Sequence, residues 1–189
     1  MKIKLKSLLL AAAAVTTFNS LADSDMPGFW QDTQQPWTAK FYYAPLNTTT
    51  PPDDWFTLDF DDSAWETLQG PVSRSDGGGT KWVDYYSAYW LRSHFNLDDT
   101  EKLEWATLKV VHDDGCRIYL NGKMVYDNDN VVSNPNESYL DASLFRKGEN
   151  VIAVYVADTG GGDAFIDFGI DPMWKNPLEV EVSTPGTMG

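Results

Sequence analysis

The chain has little cysteine, little histidine and little positive charge, and each shortage removes a class of function. Cys116 is the one cysteine among 189 residues, so no disulfide can close within the chain and no thiolate metal cluster can form. With only two histidines, His94 and His112, there is no His-Glu-x-x-His metal motif, and Gly-x-Ser-x-Gly and phosphate-loop patterns are missing too. Lys and Arg number 14 against 28 Asp and Glu, for a net charge of −14. A surface this acidic repels phosphate backbones, so nucleic acid is a poor partner, whereas neutral ligands and divalent cations suit it. No stretch after the N-terminus is apolar enough to span a membrane, and no convincing helical period runs anywhere.

The N-terminus is a targeting segment. Lys2, Lys4 and Lys6 precede an apolar run, Leu8 to Val15, too short to cross a bilayer. Ser20 and Ala22 stand at the −3 and −1 positions of a small-residue cleavage site before Asp23. Residues 1–22 are therefore expected to be a signal peptide that exports the chain to the periplasm or the outside. No cysteine follows the apolar run, so no lipid anchor is expected there. What remains is enough for one domain with a full core.

The remainder reads as strands. Asp114-Gly115 and Asn121-Gly122 lie between alternating runs, and such dipeptides supply the positive φ of tight turns. They predict three antiparallel strands in succession, about Ala106 to His112, Cys116 to Leu120 and Met124 to Asp127. Trp37 to Ala44, Tyr86 to Leu97, Val151 to Ala157 and Ala164 to Ile170 read as further strands, with a glycine-rich loop, Gly70 to Thr80, ahead of the second of these. Asp23 to Pro36 reads as a turn-rich lead-in, Phe56 to Leu68 as a loop docked by its aromatics, and Asn128 to Ser138 as an Asn-rich loop. The stretch 172–189 reads as a linker-like tail. Strands at this spacing predict an all-β chain, a two-sheet sandwich over 37–171. Cys116, in phase with Ile118 and Leu120, is expected to be a small buried residue.

Six pieces, in order, carry a resemblance: Pro52 to Trp55, Asp59 to Trp65, Tyr89 to Arg92, the stretch His112 to Tyr126, Lys147 to Val154, and Thr159 to Gly162 running into Ile166 to Ile170. Together they resemble the galactose-binding-like jelly-roll domain that serves as the sugar-binding domain of family 2 glycoside hydrolases and accompanies other exported bacterial hydrolases. The resemblance implies a jelly-roll β-sandwich without catalytic residues of its own, one that binds an oligo- or polysaccharide or steadies a catalytic hydrolase domain. In family 2 enzymes the acid and nucleophile sit on a separate barrel, for which this chain has no room. Asp113-Asp114-Gly115 followed by Ile118 to Lys123 is also similar to a segment of lectins related to the anthrax protective-antigen domain. That second likeness implies a calcium-dependent lectin-like adhesin, with calcium held at Asp113 and Asp114.

Sugar binding needs aromatic faces for the C–H side of a pyranose and planar polar groups for its hydroxyls. Eight Trp, nine Tyr and nine Phe are more rings than one small core readily hides. Trp82, Tyr85 and Tyr86 follow the glycine-rich loop, and Tyr139 follows the Asn-rich one. They are candidate ligand-stacking rings, or else caps on the sandwich ends. Trp90, Arg92 and His94 share the face of their strand opposite Tyr89, Leu91 and Phe95. With Asp167 they form a candidate polar-aromatic surface if their strands are neighbours; the other reading is an Arg–Asp pair with aromatics packed around it. Carboxylates are too many for a glycosidase pair to be excluded by count, but none is singled out by context, so the chain is expected not to be an enzyme.

Overall fold

The computed structural model describes residues 25–75 and 79–176; the expected signal peptide and residues 177–189 lie outside the described residues. Eleven strands form two sheets among these residues: β1 (Thr38–Pro45), β2 (Glu66–Gln69), β3 (Val72–Ser73), β4 (Thr80–Lys81), β5 (Ser87–Leu97), β6 (Leu103–Asp113), β7 (Gly115–Leu120), β8 (Lys123–Asn128), β9 (Val132–Asp141), β10 (Gly148–Ala157) and β11 (Phe165–Trp174). One sheet has the order β2-β1-β5-β10-β7-β8, the other β4-β3-β11-β6-β9. From β8 onward the chain changes sheet at every step. The all-β sandwich expected from the sequence is present.

Period-2 burial explains the layering. Tyr89, Leu91, Phe95 and Leu97 of β5 meet Leu108 and Val110 of β6 and Ile166, Phe168 and Ile170 of β11 in one continuous core. Cys116 lies in it as expected, 1% exposed, and burial pushes its thiol up. Asn121 and Gly122 adopt φ of 51° and 85°, the mirror-image turn that joins β7 and β8 as a hairpin.

Three expectations need correction. The run of three antiparallel strands is broken at Asp114-Gly115: β6 pairs with β9 and β11, while β7 pairs with β10 and β8 in the other sheet. The corner crosses the sandwich because His112, fully buried, bonds the Asp114 carbonyl at 2.7 Å and Tyr126 Oη of β8 at 2.8 Å. The Asn-rich stretch is not a loop, since its latter part forms β9, an edge strand paired only with β6. Ser133 to Glu137 are exposed, so pairing rather than burial holds them extended, and an edge position tolerates Pro135. Finally, β11 runs on to Trp174, taking the first residues of the expected tail into the sheet.

The lead-in is packed rather than loose. Met26 and Phe29 are buried, the Ile170 amide donates to the Pro27 carbonyl at 2.8 Å, and a single helical turn, α1 (Trp30–Thr33), lies over the outer face of β11. No helix among the described residues is long and apolar enough to cross a membrane.

Candidate functional site: the loop end of the sandwich

The strand ends Ser73, Lys81, Ser87, Asp113, Gly115, Ala157 and Phe165 converge, and the loops between them form one end of the molecule. Here the 82–86 segment is bolted down at both sides. The Trp82 amide donates to the Ser73 carbonyl at 2.8 Å, and its indole N–H donates to Ser87 Oγ at 2.9 Å. Trp82 is fully buried, so its expected role as a ligand-stacking ring is corrected: it is a core side chain, placed inward because its N–H finds a partner there. Fixing Trp82 and Ser87 turns the three side chains Val83, Tyr85 and Tyr86 outward, 62%, 58% and 56% exposed.

Each tyrosine ring is braced from behind. The Arg74 guanidinium lies 4.0 Å from the Tyr85 ring centroid. It is held in turn by Asp158 at 2.7 Å, by the Asp84 carbonyl at 2.7 Å and by the Gly162 carbonyl. Asp158 has no exposed surface and also accepts from the amides of Tyr86 (3.3 Å) and Gly161 (2.7 Å). Tyr86 takes a φ of 53°, a left-handed backbone that a bulky side chain avoids, and its carbonyl accepts from Leu46 at 2.7 Å. Its ring rests on Gly161, where a Cβ would come within 2.5 Å of the phenol. Asp114, at the inter-sheet corner, accepts from the Thr159 amide (2.7 Å), the Thr159 hydroxyl (2.9 Å) and the Gly160 amide (2.6 Å). Those bonds hold its carboxyl below the usual carboxylate range against the effect of burial, whereas Asp113 beside it is pushed up to about 6, by burial first and then by Asp114, Asp163 and Asp158.

Three N–H or O–H donors point at Asp114 Oδ2, where a cation would need acceptors around it, and no group of three or more His, Cys, Asp or Glu among the described residues is placed to hold a metal.

The other candidates are elsewhere. Trp90 is 7% exposed and Arg92 has no exposed surface. They do lie on the outer face of β5, but the loop between β1 and β2 folds over them. Trp55, Phe60 and Trp65 pack there with Trp90, Tyr42 and Tyr155, and Arg92 bonds Asp62 (2.6 Å) and the carbonyls of Trp55 (2.5 Å) and Thr57 (2.8 Å). Neither residue can meet a ligand, which corrects the expected surface. His94 is exposed at the margin of this cover, with Asp62 at 2.7 Å and Glu149 at 3.0 Å on its two ring nitrogens. Asp167 is on the other sheet, 3% exposed beneath α1, where it accepts from the Trp30 and Gln31 amides and from the Trp37 indole at 2.9 Å. Burial raises its carboxyl, and those N–H donors oppose the rise. It pins the lead-in to the sandwich and is not a sugar ligand. Tyr139, 65% exposed, lies against Trp105 on the outer face of the β9 sheet, opposite Thr107 and so about 20 Å along β6 from the loop end.

Of the expected ligand residues, then, only Tyr85 and Tyr86 come together in the open. Arg74 and Asp158, which set them, were not singled out by the sequence reading. Their signal is faint: a lone arginine inside the glycine-rich stretch, and an aspartate at a strand end beside Thr-Gly-Gly-Gly.

No protein-family model matches the chain, and no curated protein matches it. Solved structures do. A glycosyl hydrolase family 2 member from Bacteroides cellulosilyticus DSM 14838 is 22% identical over 71% of this chain and 20% of its own, with a TM-score of 0.49. A beta-glycosidase from Bacteroides vulgatus is 16% identical over 72% of this chain and 20% of its own, TM-score 0.49. A beta-glucuronidase from an uncultured Clostridium sp. is 16% identical over 73% of this chain and 28% of its own, TM-score 0.49. The chain spans about a fifth of the length of the first two.

Proposed function

We propose that the protein is an exported, non-catalytic carbohydrate-binding module whose ligand surface is the loop end, with Tyr85 and Tyr86 as its stacking rings. One observation carries the reading: two adjacent tyrosines are more than half exposed, yet each is fixed from behind, one by Arg74 and one by Gly161. An exposed ring that is already immobilised loses little side-chain freedom on binding, which is what a weakly held, neutral ligand such as a sugar needs. Tyr86 supports it further, because a left-handed backbone at a bulky, mostly exposed residue costs stability. The basic and apolar N-terminus supports export.

The test is a glycan array probed with purified protein, repeated with a calcium chelator and followed by an assay for released reducing sugar. Binding that survives the chelator, vanishes in Tyr85→Ala and Tyr86→Ala, and proceeds without release supports the reading. Binding to no glycan, or release of reducing sugar, overturns it.

A further inference from the structure

The loop end also carries a charge pattern, and it falls around the two rings. Asp84 follows Val83 directly ahead of Tyr85, and its carboxylate accepts from the Tyr43 hydroxyl. Asp163 is exposed across from Ser75, whose hydroxyl donates to it at 3.2 Å. Asp113 and Asp114 stand beneath the 159–160 turn on which Tyr86 depends. Against these stand two cations, the exposed Lys81 at the end of β4 and Arg74, whose two terminal nitrogens are spent on Asp158 and on two carbonyls within the same loops. Arg117, on β7, is likewise held by Asp127 at 3.1 Å and Asp129 at 3.2 Å. The rings therefore sit in a negative field with no guanidinium left to fork a ligand carboxylate.

Resting on the carbohydrate-binding reading of this platform, we propose that the Tyr85–Tyr86 surface selects by charge: it takes neutral saccharides and excludes those carrying carboxylate or sulfate. The rings supply stacking that is indifferent to charge, and the surrounding aspartates repel anions. The Asp113 carboxyl is raised by burial first, and then by its neighbours Asp114, Asp163 and Asp158.

The experiment uses an array bearing glucose, galactose and mannose oligosaccharides, each beside its C6-oxidised uronic acid form. The neutral member of a bound pair is expected to bind about tenfold more tightly at low salt, a difference of about 1.4 kcal/mol. Most of that gap is expected to close at 1 M salt, where charge is screened within about 3 Å. Asp163→Asn, on an exposed loop, is expected to narrow the gap at low salt with the neutral affinity kept. Uronic acids binding as well as or better than their neutral partners would overturn the inference and leave the binding reading standing. A gap that salt leaves unchanged would overturn it as well, because loss of a C6 hydroxyl contact would then explain it. No binding to either form overturns the binding reading and the inference with it.

Discussion

Arg92 and Arg74 each lie against an aromatic ring, and they have opposite fates. Arg92 is sealed: it lies 5.2 Å from the Phe60 ring centroid, pairs with Asp62 and collects carbonyls from the loop that covers it. Arg74 builds an open assembly from the same parts, with a ring at 4.0 Å, a buried aspartate and two carbonyls, but its ring faces solvent. The local chemistry is nearly identical. What differs is whether a further segment of chain lies on top, and that is settled by the loop between β1 and β2, whose Trp55, Phe60 and Trp65 need a surface to bury against. A Trp/Arg pair on a strand's outer face thus announces a packing site for that loop as readily as a sugar site.

The contrast can be broken most forcefully at Arg92. Arg92→Ala leaves Asp62 without its buried partner and strips the Trp55, Thr57 and Phe60 carbonyls of a donor, so a loss of about 3–5 kcal/mol is expected in urea unfolding. Glycan affinity of the fraction still folded is expected to stay unchanged. Reduced affinity with intact stability would place the ligand on the wrong arginine.

A smaller effect distinguishes the open assembly. Arg74→Lys keeps a positive charge for Asp158 but loses the fork and the planar contact with Tyr85. A stability loss of about 1 kcal/mol is expected, with a disproportionate fall in glycan affinity as the Tyr85 ring comes loose. Equal affinity in the lysine variant would show that the ring needs no brace.

The smallest effect concerns the corner beneath the platform. Asp113 has a folded-state carboxyl raised to about 6, above its ordinary 3.8. A raised group favours the folded state while protonated, so its contribution is full below the ordinary value and is lost as pH rises through about 6. Asp113→Asn is therefore expected to raise the melting temperature at pH 8 relative to wild type, with the advantage shrinking towards pH 4. His112 works the other way. Burial lowers its folded-state pKa from 6.5, so its contribution is present above that value and is lost as pH falls below it. Melting curves of Asp113→Asn and a His112 substitution across pH 4 to 8 should show these opposed slopes; parallel curves would contradict the assignment.

Sequence periodicity carried much of the fold because burial between sheets selects every second residue: β1, β5, β7, β8, β10 and β11 all lie close to where alternation puts them. It failed at β9, where Ser133 to Glu137 are extended by pairing alone and leave no apolar trace. It failed at Asp114-Gly115 because a dipeptide that can close a hairpin can equally turn a corner between sheets, and the deciding contact, His112 to Tyr126, spans 14 residues and two layers. For the site, alternation correctly put Trp90, Arg92 and Asp167 outside the core, but outside the core is not outside the molecule. Arg92 is covered by a loop some 30 residues earlier in the chain and Asp167 by a lead-in some 137 residues away, distances over which pattern carries no information. Position beside the glycine-rich loop did not separate the exposed Tyr85 and Tyr86 from Trp82, which is buried because its indole N–H finds Ser87 inside. Arg74 and Asp158, which brace the two tyrosines, were not legible, since only the folded chain brings them within 2.7 Å of each other.

Tyr86→Gly tests the central claim most directly, since glycine tolerates the left-handed backbone at 53° and removes the ring in one change. If the ring is presented for a ligand at the expense of stability, the melting temperature holds or rises by the equivalent of up to about 1 kcal/mol while glycan affinity falls at least about tenfold. A variant that melts lower and binds glycan as well as the parent would show that Tyr86 is a packing residue and that the loop end is not the binding surface.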